Sequence, residues 1–220
     1  VALGDVVAGV EKLLADYPAP DGVDLEVGGT VEDQGDAFGD LGTLLILIVI
    51  LVYIVMATQF ESLKFPFIIM FTIPFAFTGV FLALWMTSTP LSLIALIGAI
   101  MLVGIVTKNG IVMVDYMNLL IERGSGVFDA VIAGGKSRLR PVLMTSFTTI
   151  LGMLPLAIGT GAGSETWQPM GIAVIGGLTF STILTLFIVP VLYSILVNRS
   201  QRKEREKLAR LSAEHQASKH

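Results

Sequence analysis

Five long apolar stretches recur along this chain, and each is long enough to cross a lipid bilayer as a helix. The hydrocarbon core of a bilayer is about 30 Å thick, and roughly 20 apolar residues in a helix span it. The pattern therefore predicts five transmembrane helices. They are predicted at residues 41–58, 65–87, 91–120, 140–158 and 170–197.

The first 40 residues follow a different pattern. Apolar residues at helical spacing predict one helix, with an apolar face formed by Val6, Val10, Leu13, Leu14 and Tyr17. Pro18 ends that helix because a proline ring cannot continue it, and the alternation over residues 23–27 predicts a strand. One helix and one strand cannot bury a core of their own. Residues 1–40 are therefore expected to be the end of a larger α/β domain.

Most connections between the predicted spans are short, but residues 122–138 form a longer amphipathic link. Its apolar residues fall on one face, at Val127, Phe128, Val131 and Ile132. An amphipathic helix of this kind can lie in the plane of the membrane interface. The link is thus a candidate interfacial segment, separate from the predicted span at 140–158.

Composition supports a membrane protein and excludes several kinds of site. Hydrophobic residues make up 54% of the chain and charged residues 15%, whereas an average soluble domain has about 25% charged residues. The mean hydropathy is +0.80. The absence of cysteine excludes disulfides and thiolate metal sites. No Ser/His/Asp or paired-carboxylate arrangement occurs in a plausible site, so neither an enzyme nor a metal or cofactor site is predicted.

The charges are segregated, which predicts the topology. Residues 1–40 are acidic, with Lys12 as their single basic residue, and the tail at 198–220 is mostly basic. With five spans, Lys64, Lys136 and the other basic residues outside the spans, apart from Lys12, fall on the same side as the tail. Cytoplasmic loops carry an excess of Lys and Arg. The tail is therefore predicted to be cytoplasmic and the acidic segment to lie on the outer side of the membrane. Residues 41–197, between them, form the predicted membrane domain.

Lys108 is the most informative residue, because it is a charged side chain in the middle of the third predicted span. A charge at membrane depth costs about 2.5–3.5 kcal/mol on insertion scales, so it usually has a partner and a function. Asp115 lies on the same helix face about 10 Å further along, which is too far for a direct pair. Lys108 therefore needs an acid from another helix, and the other spans contain none. The alternative is that Lys108 extends its ammonium to an interface.

Two other features of the spans have both a functional and an ordinary interpretation. Asp115 is nearer the cytoplasmic end, where it is either functional or simply a solvated helix end. Hydroxyls crowd the first half of the fourth span, at Thr145, Ser146, Thr148 and Thr149. They either bond to carbonyls of their own helix or face an ionisable group or water. We expect Lys108 and Thr145 to face the interior of a bundle.

Several motifs together resemble the resistance–nodulation–division (RND) efflux pumps. The run from Gly104 to Asp115 is similar to their tenth transmembrane helix, and residues 138–146 to the start of the eleventh. Residues 159–177 resemble the following loop and twelfth helix, and residues 60–62 the turn after the eighth. Residues 1–40 then resemble the end of the last porter subdomain, a ferredoxin-like α/β unit. The implied fold is mainly α, a bundle of five transmembrane helices preceded by that α/β end.

The resemblance also implies a mechanism. In this family a lysine at the position of Lys108 pairs with acids on the fourth transmembrane helix, and protonation of those acids drives a conformational cycle. Thr145 belongs to the same relay, and Arg138 lies near the proton path. Adding Asn109 and Asp115 completes the set of candidate relay residues. Protons are the implied coupling ion, and the acidic partners lie outside this chain.

The resemblance further implies the setting of the full-length protein. It is expected to be a homotrimer in the bacterial inner membrane, in contact with lipid, a periplasmic adaptor and an outer-membrane channel, and without a nucleic-acid partner. The Lys108-Asn109 pair favours the branch that exports hydrophobic or amphiphilic compounds. The alternatives are heavy-metal-ion efflux and a SecDF-like accessory of protein export.

The topology can be tested with single cysteines, since the chain has none of its own. In the full-length protein with other cysteines removed, Ser164→Cys should react with a membrane-impermeant maleimide applied from outside. Ser200→Cys should react only after the membrane is permeabilised. The reverse pattern of labelling would overturn the predicted orientation.

Overall fold

The computed structural model describes residues 3–15 and 30–217, apart from residues 160 and 162. This part of the chain contains helices and no strand. The helix predicted around residues 6–17 is confirmed as α1, whereas the strand predicted at 23–27 lies outside the described residues. The helices are α1 (Leu3–Ala15), α2 (Thr30–Phe60), α3 (Lys64–Met70), α4 (Thr72–Met86), α5 (Leu93–Glu122), α6 (Val127–Ile158) and α7 (Ser164–Ala217).

Five spans are long and apolar enough to cross a membrane among the described residues, which confirms the prediction of five transmembrane helices. Several helices extend beyond the predicted boundaries. Helix α2 begins inside the segment that was assigned to the outer domain, and α7 continues through most of the predicted tail. The spans are Asp33–Phe60, Lys64–Met86, Leu93–Glu122, Val127–Ile158 and Ser164–Arg199.

The second span consists of two helices, α3 and α4, which meet at Phe71. Pro74 has no N–H to donate to the carbonyl of Met70, so the regular hydrogen bonding of a helix is interrupted there. The hydroxyl of Thr72 donates to the carbonyl of Ile69 at 2.6 Å and satisfies a backbone acceptor beside the break. Because α3 and α4 continue one after the other, they still cross the membrane as one span.

The predicted boundary at residue 140, between a separate link and the fourth span, is wrong. Helix α6 runs without interruption from Val127 to Ile158, and the turn before it contains Gly124 at a φ of 90°. Val127 and Ala130 are buried at 8% and 0% exposure, and Gly134 lies against Met117 of α5. The segment is therefore packed against the bundle and continues directly into the rest of α6.

Helix α7 lies at the centre of the bundle and packs against α3, α4, α5 and α6. Its crossing with α4 depends on glycine. A Cβ added at Gly79 would lie 2.8 Å from the carbonyl oxygen of Gly176, and one at Gly177 would lie 2.8 Å from Val80 and 3.1 Å from the oxygen of Ala76. Small residues of this kind let helix backbones approach each other within a membrane.

This crossing makes a stability prediction for Gly177. In Gly177→Ala the new methyl would overlap the side chains of Leu102 on α5 and Val80 on α4 and press on the carbonyl oxygen of Ala76. The neighbours must therefore shift, and overpacking of this kind typically costs about 1–3 kcal/mol. Gly152→Ala is the matched control, because a Cβ there meets no atom within 4 Å and alanine is the better helix former by about 1 kcal/mol. Thermal unfolding in detergent measures both. Equal melting temperatures for Gly177→Ala and the parent would contradict the close crossing.

Candidate proton-relay site

The outward face of α5 carries the charged residues of the third span. Exposed positions recur every three, four or seven residues, which is the repeat of one helix face. They include Met101, Gly104, Lys108, Asp115 and Leu119. The opposite face packs into the bundle through Val106, Thr107 and Gly110, all of which are buried. Lys108 and Asp115 therefore share one stripe on the outside of the five helices.

The expectation that Lys108 and Thr145 face the interior of the bundle is wrong for these five helices. Both side chains are exposed, because small and apolar residues of α5 occupy the interior face against α4 and α7. No acidic side chain of the described residues pairs with Lys108. An ammonium inside this apolar packing would have no counter-charge, and burying it would cost several kcal/mol.

The hydroxyls of α6 divide into two groups. Thr145 donates to the carbonyls of Pro141 and Val142 at 3.2 and 3.0 Å, and Thr148 and Thr149 likewise bond to their own helix. These three threonines therefore donate their hydroxyl hydrogens to carbonyls of their own helix, which is the ordinary one of the two interpretations. Ser146 is different, because its hydroxyl lies 2.9 Å from that of Thr182 on α7 and both residues are buried.

Ser146 and Thr182 belong to a buried hydroxyl layer between two apolar clusters. On α7, Leu178 belongs to one cluster and Val189 to the other, and the hydroxyl residues lie between them. On α5, Thr107 occupies the corresponding level, next to Lys108. The buried members of the layer are Thr107, Ser146, Ser181, Thr182 and Thr185. The apolar packing of the bundle is therefore interrupted at the depth where the lysine lies.

Arg138 has a partner that sequence reasoning missed. Its guanidinium carbon lies 4.5 Å from the centre of the Tyr116 ring on α5, within the range of a cation–π contact. The Nε of Arg138 is buried and has no hydrogen-bond partner among the described residues. No spacing along the chain connects residues 116 and 138, so only the crossing of α5 and α6 reveals the pair. Asn109, the remaining candidate, is half-buried on α5.

The structure therefore places the candidate residues on two neighbouring helices. Lys108, Asn109 and Asp115 lie on α5, and Arg138 and Thr145 lie on α6, which packs against it. The contact between Arg138 and Tyr116 ties one candidate on α6 to α5 through a residue that was not itself a candidate.

Comparison with known proteins gives a consistent assignment. The model of the AcrB/AcrD/AcrF family matches residues 1–197. The chain is 37% identical over 199 residues to the swarming motility protein SwrC of Bacillus subtilis, which covers 90% of the chain and 19% of SwrC. It is 38% identical over 185 residues to the cobalt-zinc-cadmium resistance protein CzcA of Cupriavidus metallidurans, covering 84% of the chain and 17% of that protein.

Further similarities include both a multidrug resistance protein and a heavy metal efflux pump. The chain is 37% identical over 206 residues to the multidrug resistance protein MdtC of Erwinia tasmaniensis, covering 93% of the chain and 20% of MdtC. It also matches the crystal structure of a heavy metal efflux pump with a TM-score of 0.77 and 29% identity, over 88% of the chain and 20% of that structure.

The chain thus spans about a fifth of the length of the relatives that it matches. Both the sequence match and the structural match cover most of its own residues, and together they extend over all five membrane spans. The chain accordingly belongs to the AcrB/AcrD/AcrF family of RND transporters, not to a family of enzymes, and corresponds to a multi-pass part of their membrane region.

Proposed function

We propose that this chain is the C-terminal membrane part of an efflux pump driven by the proton-motive force, and that Lys108 is the fixed cation of its proton relay. The observation that carries the proposal is the exposure of Lys108 in the middle of α5, with no acid of the described residues beside it. A charge at this depth is stable only with a partner or water. The relatives are about five times as long as the matched region, so an additional helix can supply the acids.

The relay works by switching a charge pair. While carboxylates on the neighbouring helix are ionised, the ammonium of Lys108 attracts them and holds that helix against α5. Once they take up protons they are neutral, and the attraction is lost. A nearby cation stabilises the ionised form of a carboxylate, so Lys108 also ensures that the acids release their protons again. Each uptake and release moves the helices between two arrangements.

The other candidates act around this pair. The hydroxyl of Thr145 uses its hydrogen on its own helix, which leaves its oxygen free to accept a hydrogen bond from the ammonium or from water. Asp115 lies on the Lys108 stripe about 10 Å away and can pass protons between that level and the cytoplasm. Asn109 adds a polar amide beside Lys108, and Arg138 contributes a fixed positive charge.

The proposed setting follows from the charges and from the family. Basic residues on the side of the tail support a cytoplasmic C-terminus and a periplasmic N-terminal segment in the inner membrane. Residues 1–40 would then be the end of a ferredoxin-like porter subdomain. As in the RND pumps that it resembles, the full-length protein would form a homotrimer and work with a periplasmic adaptor and an outer-membrane channel.

Hydrophobic or amphiphilic compounds are the proposed cargo, and metal ions are the second candidate. The Lys108-Asn109 pair and the similarity to the multidrug resistance protein MdtC support the first. The similarity to CzcA and to the heavy metal efflux pump supports the second. Identities of 37% and 38% to MdtC and CzcA do not separate them, so the experiment below measures both cargoes.

The test is Lys108→Ala in the full-length protein, with export measured as accumulation of ethidium and of Zn²⁺ in cells. Without the ammonium, the acids of the relay remain protonated, and export of the transported cargo should fall to that of cells without the pump. Lys108→Arg should also impair export, because the planar guanidinium does not reproduce the geometry of the ammonium. Membrane abundance should remain near normal, since neutral acids are tolerated inside a bundle.

Lys136→Ala is the matched control, because Lys136 is an exposed lysine near the start of α6 and outside the proposed relay. It should export at the rate of the parent. The cargo whose export is lost in Lys108→Ala identifies the branch. Parental export of both cargoes by Lys108→Ala, at equal abundance, would refute the proposed relay.

A further inference from the structure

We infer that Tyr116 is a positioning residue of the transport cycle, which acts by holding the guanidinium of Arg138 at a fixed place beside α5. The inference rests on the proposed proton relay. Its basis is the stacking distance of 4.5 Å between the guanidinium carbon and the centre of the Tyr116 ring. Both residues are half-buried, so the contact lies at the junction of the two helices rather than in open solvent.

The crossing of α5 and α6 builds this contact. Gly134 lies one turn before Arg138 on α6, and a Cβ added to it would lie 2.7 Å from the side chain of Met117. Met117 is the neighbour of Tyr116 on α5 and is completely buried. Because Gly134 has no side chain, the backbone of α6 can approach α5 here. The next turn of α6 then places Arg138 over the tyrosine ring.

The ring compensates a charge that little else in the described structure compensates. A guanidinium is always protonated in proteins and can only donate hydrogen bonds. The Nε of Arg138 is buried without an acceptor, and no acidic residue of the described chain forms an ion pair with it. The electron-rich face of an aromatic ring attracts a cation, and this attraction grows where water is excluded. Tyr116 is thus the group that keeps Arg138 at the helix junction.

A fixed Arg138 has a consequence for the relay. Tyr116 follows Lys108 by eight residues, which corresponds to about 12 Å along α5. The stack therefore holds a second permanent positive charge at a constant distance from the lysine, on the side of Asp115. Without the ring, the long side chain of Arg138 could extend to the water interface. Its field at the relay would then be weaker and would vary from cycle to cycle.

The experiment compares two substitutions of Tyr116 in the full-length protein, reconstituted in liposomes with an imposed proton gradient. Transport of the probe that the parent exports, ethidium or Zn²⁺, is measured against probe concentration. Tyr116→Leu removes the ring, and the maximal rate should fall several-fold while the half-saturating concentration stays unchanged. Tyr116→Phe keeps the ring and should restore the rate to near that of the parent, because the hydroxyl makes no part of the stack.

Tyr53→Leu is the matched control, since it removes another half-buried tyrosine, which lies on α2 outside the proposed relay and bonds to the backbone carbonyl of Leu63. It should transport at the parental rate. Three results would overturn the inference: a parental rate for Tyr116→Leu, an equal loss for Tyr116→Leu and Tyr116→Phe, or a loss that matches a loss of folded protein. A parental rate for Tyr116→Leu beside an inactive Lys108→Ala removes only this inference, whereas an active Lys108→Ala removes the relay itself.

Discussion

Close approach of helix backbones is the constraint on which this bundle depends. In a bilayer, lipid tails are as apolar as leucine, so hiding apolar side chains does not by itself bring helices together. Contact must come from packing, and packing improves where side chains are small. The crossing of α4 and α7 meets this condition through Gly79, Gly176 and Gly177. Since α7 also contacts α3, α5 and α6, the positions of α3 to α6 are set around that one helix.

The same packing determines where the charged residues can lie. The interior faces of α5 and α7 carry small and apolar residues, with one layer of hydroxyls at the depth of Thr107 and Thr182. A buried hydroxyl can form a hydrogen bond with a backbone carbonyl or with another hydroxyl, as the hydroxyls of Ser146 and Thr182 do. An ammonium has no such solution among these helices. Lys108 therefore lies on the outward stripe of α5, where a further helix can meet it.

Glycines also shape the surroundings of the charges, in two different ways. At Gly134 the missing side chain lets α6 approach α5, which brings Arg138 over Tyr116. At Gly104, one turn before Lys108, a Cβ would meet no atom of the described structure within 4 Å. The first glycine is needed for packing between these helices, whereas the second has open space beside it on the outward face that carries Lys108. Both roles depend on where the glycine lies relative to other helices, and the residues around it in the sequence do not predict that position.

The sequence by itself determined the five spans and singled out Lys108, because both follow from the energy of transferring groups into a bilayer. The other candidate relay residues came from the resemblance to the RND pumps. An apolar run of sufficient length forms a helix inside the bilayer. A lysine within such a run, as Lys108 is, needs a partner or water that offsets the cost of its charge. The tertiary structure decided what depends on contacts between helices. It joined residues 127–139 to the fourth span in one continuous helix, in which Val127 and Ala130 are buried and Gly134 lies against Met117 of α5. It also placed Lys108 outward and brought Tyr116 to Arg138, since which faces meet is set by the shape of two surfaces and not by the pattern of either helix alone.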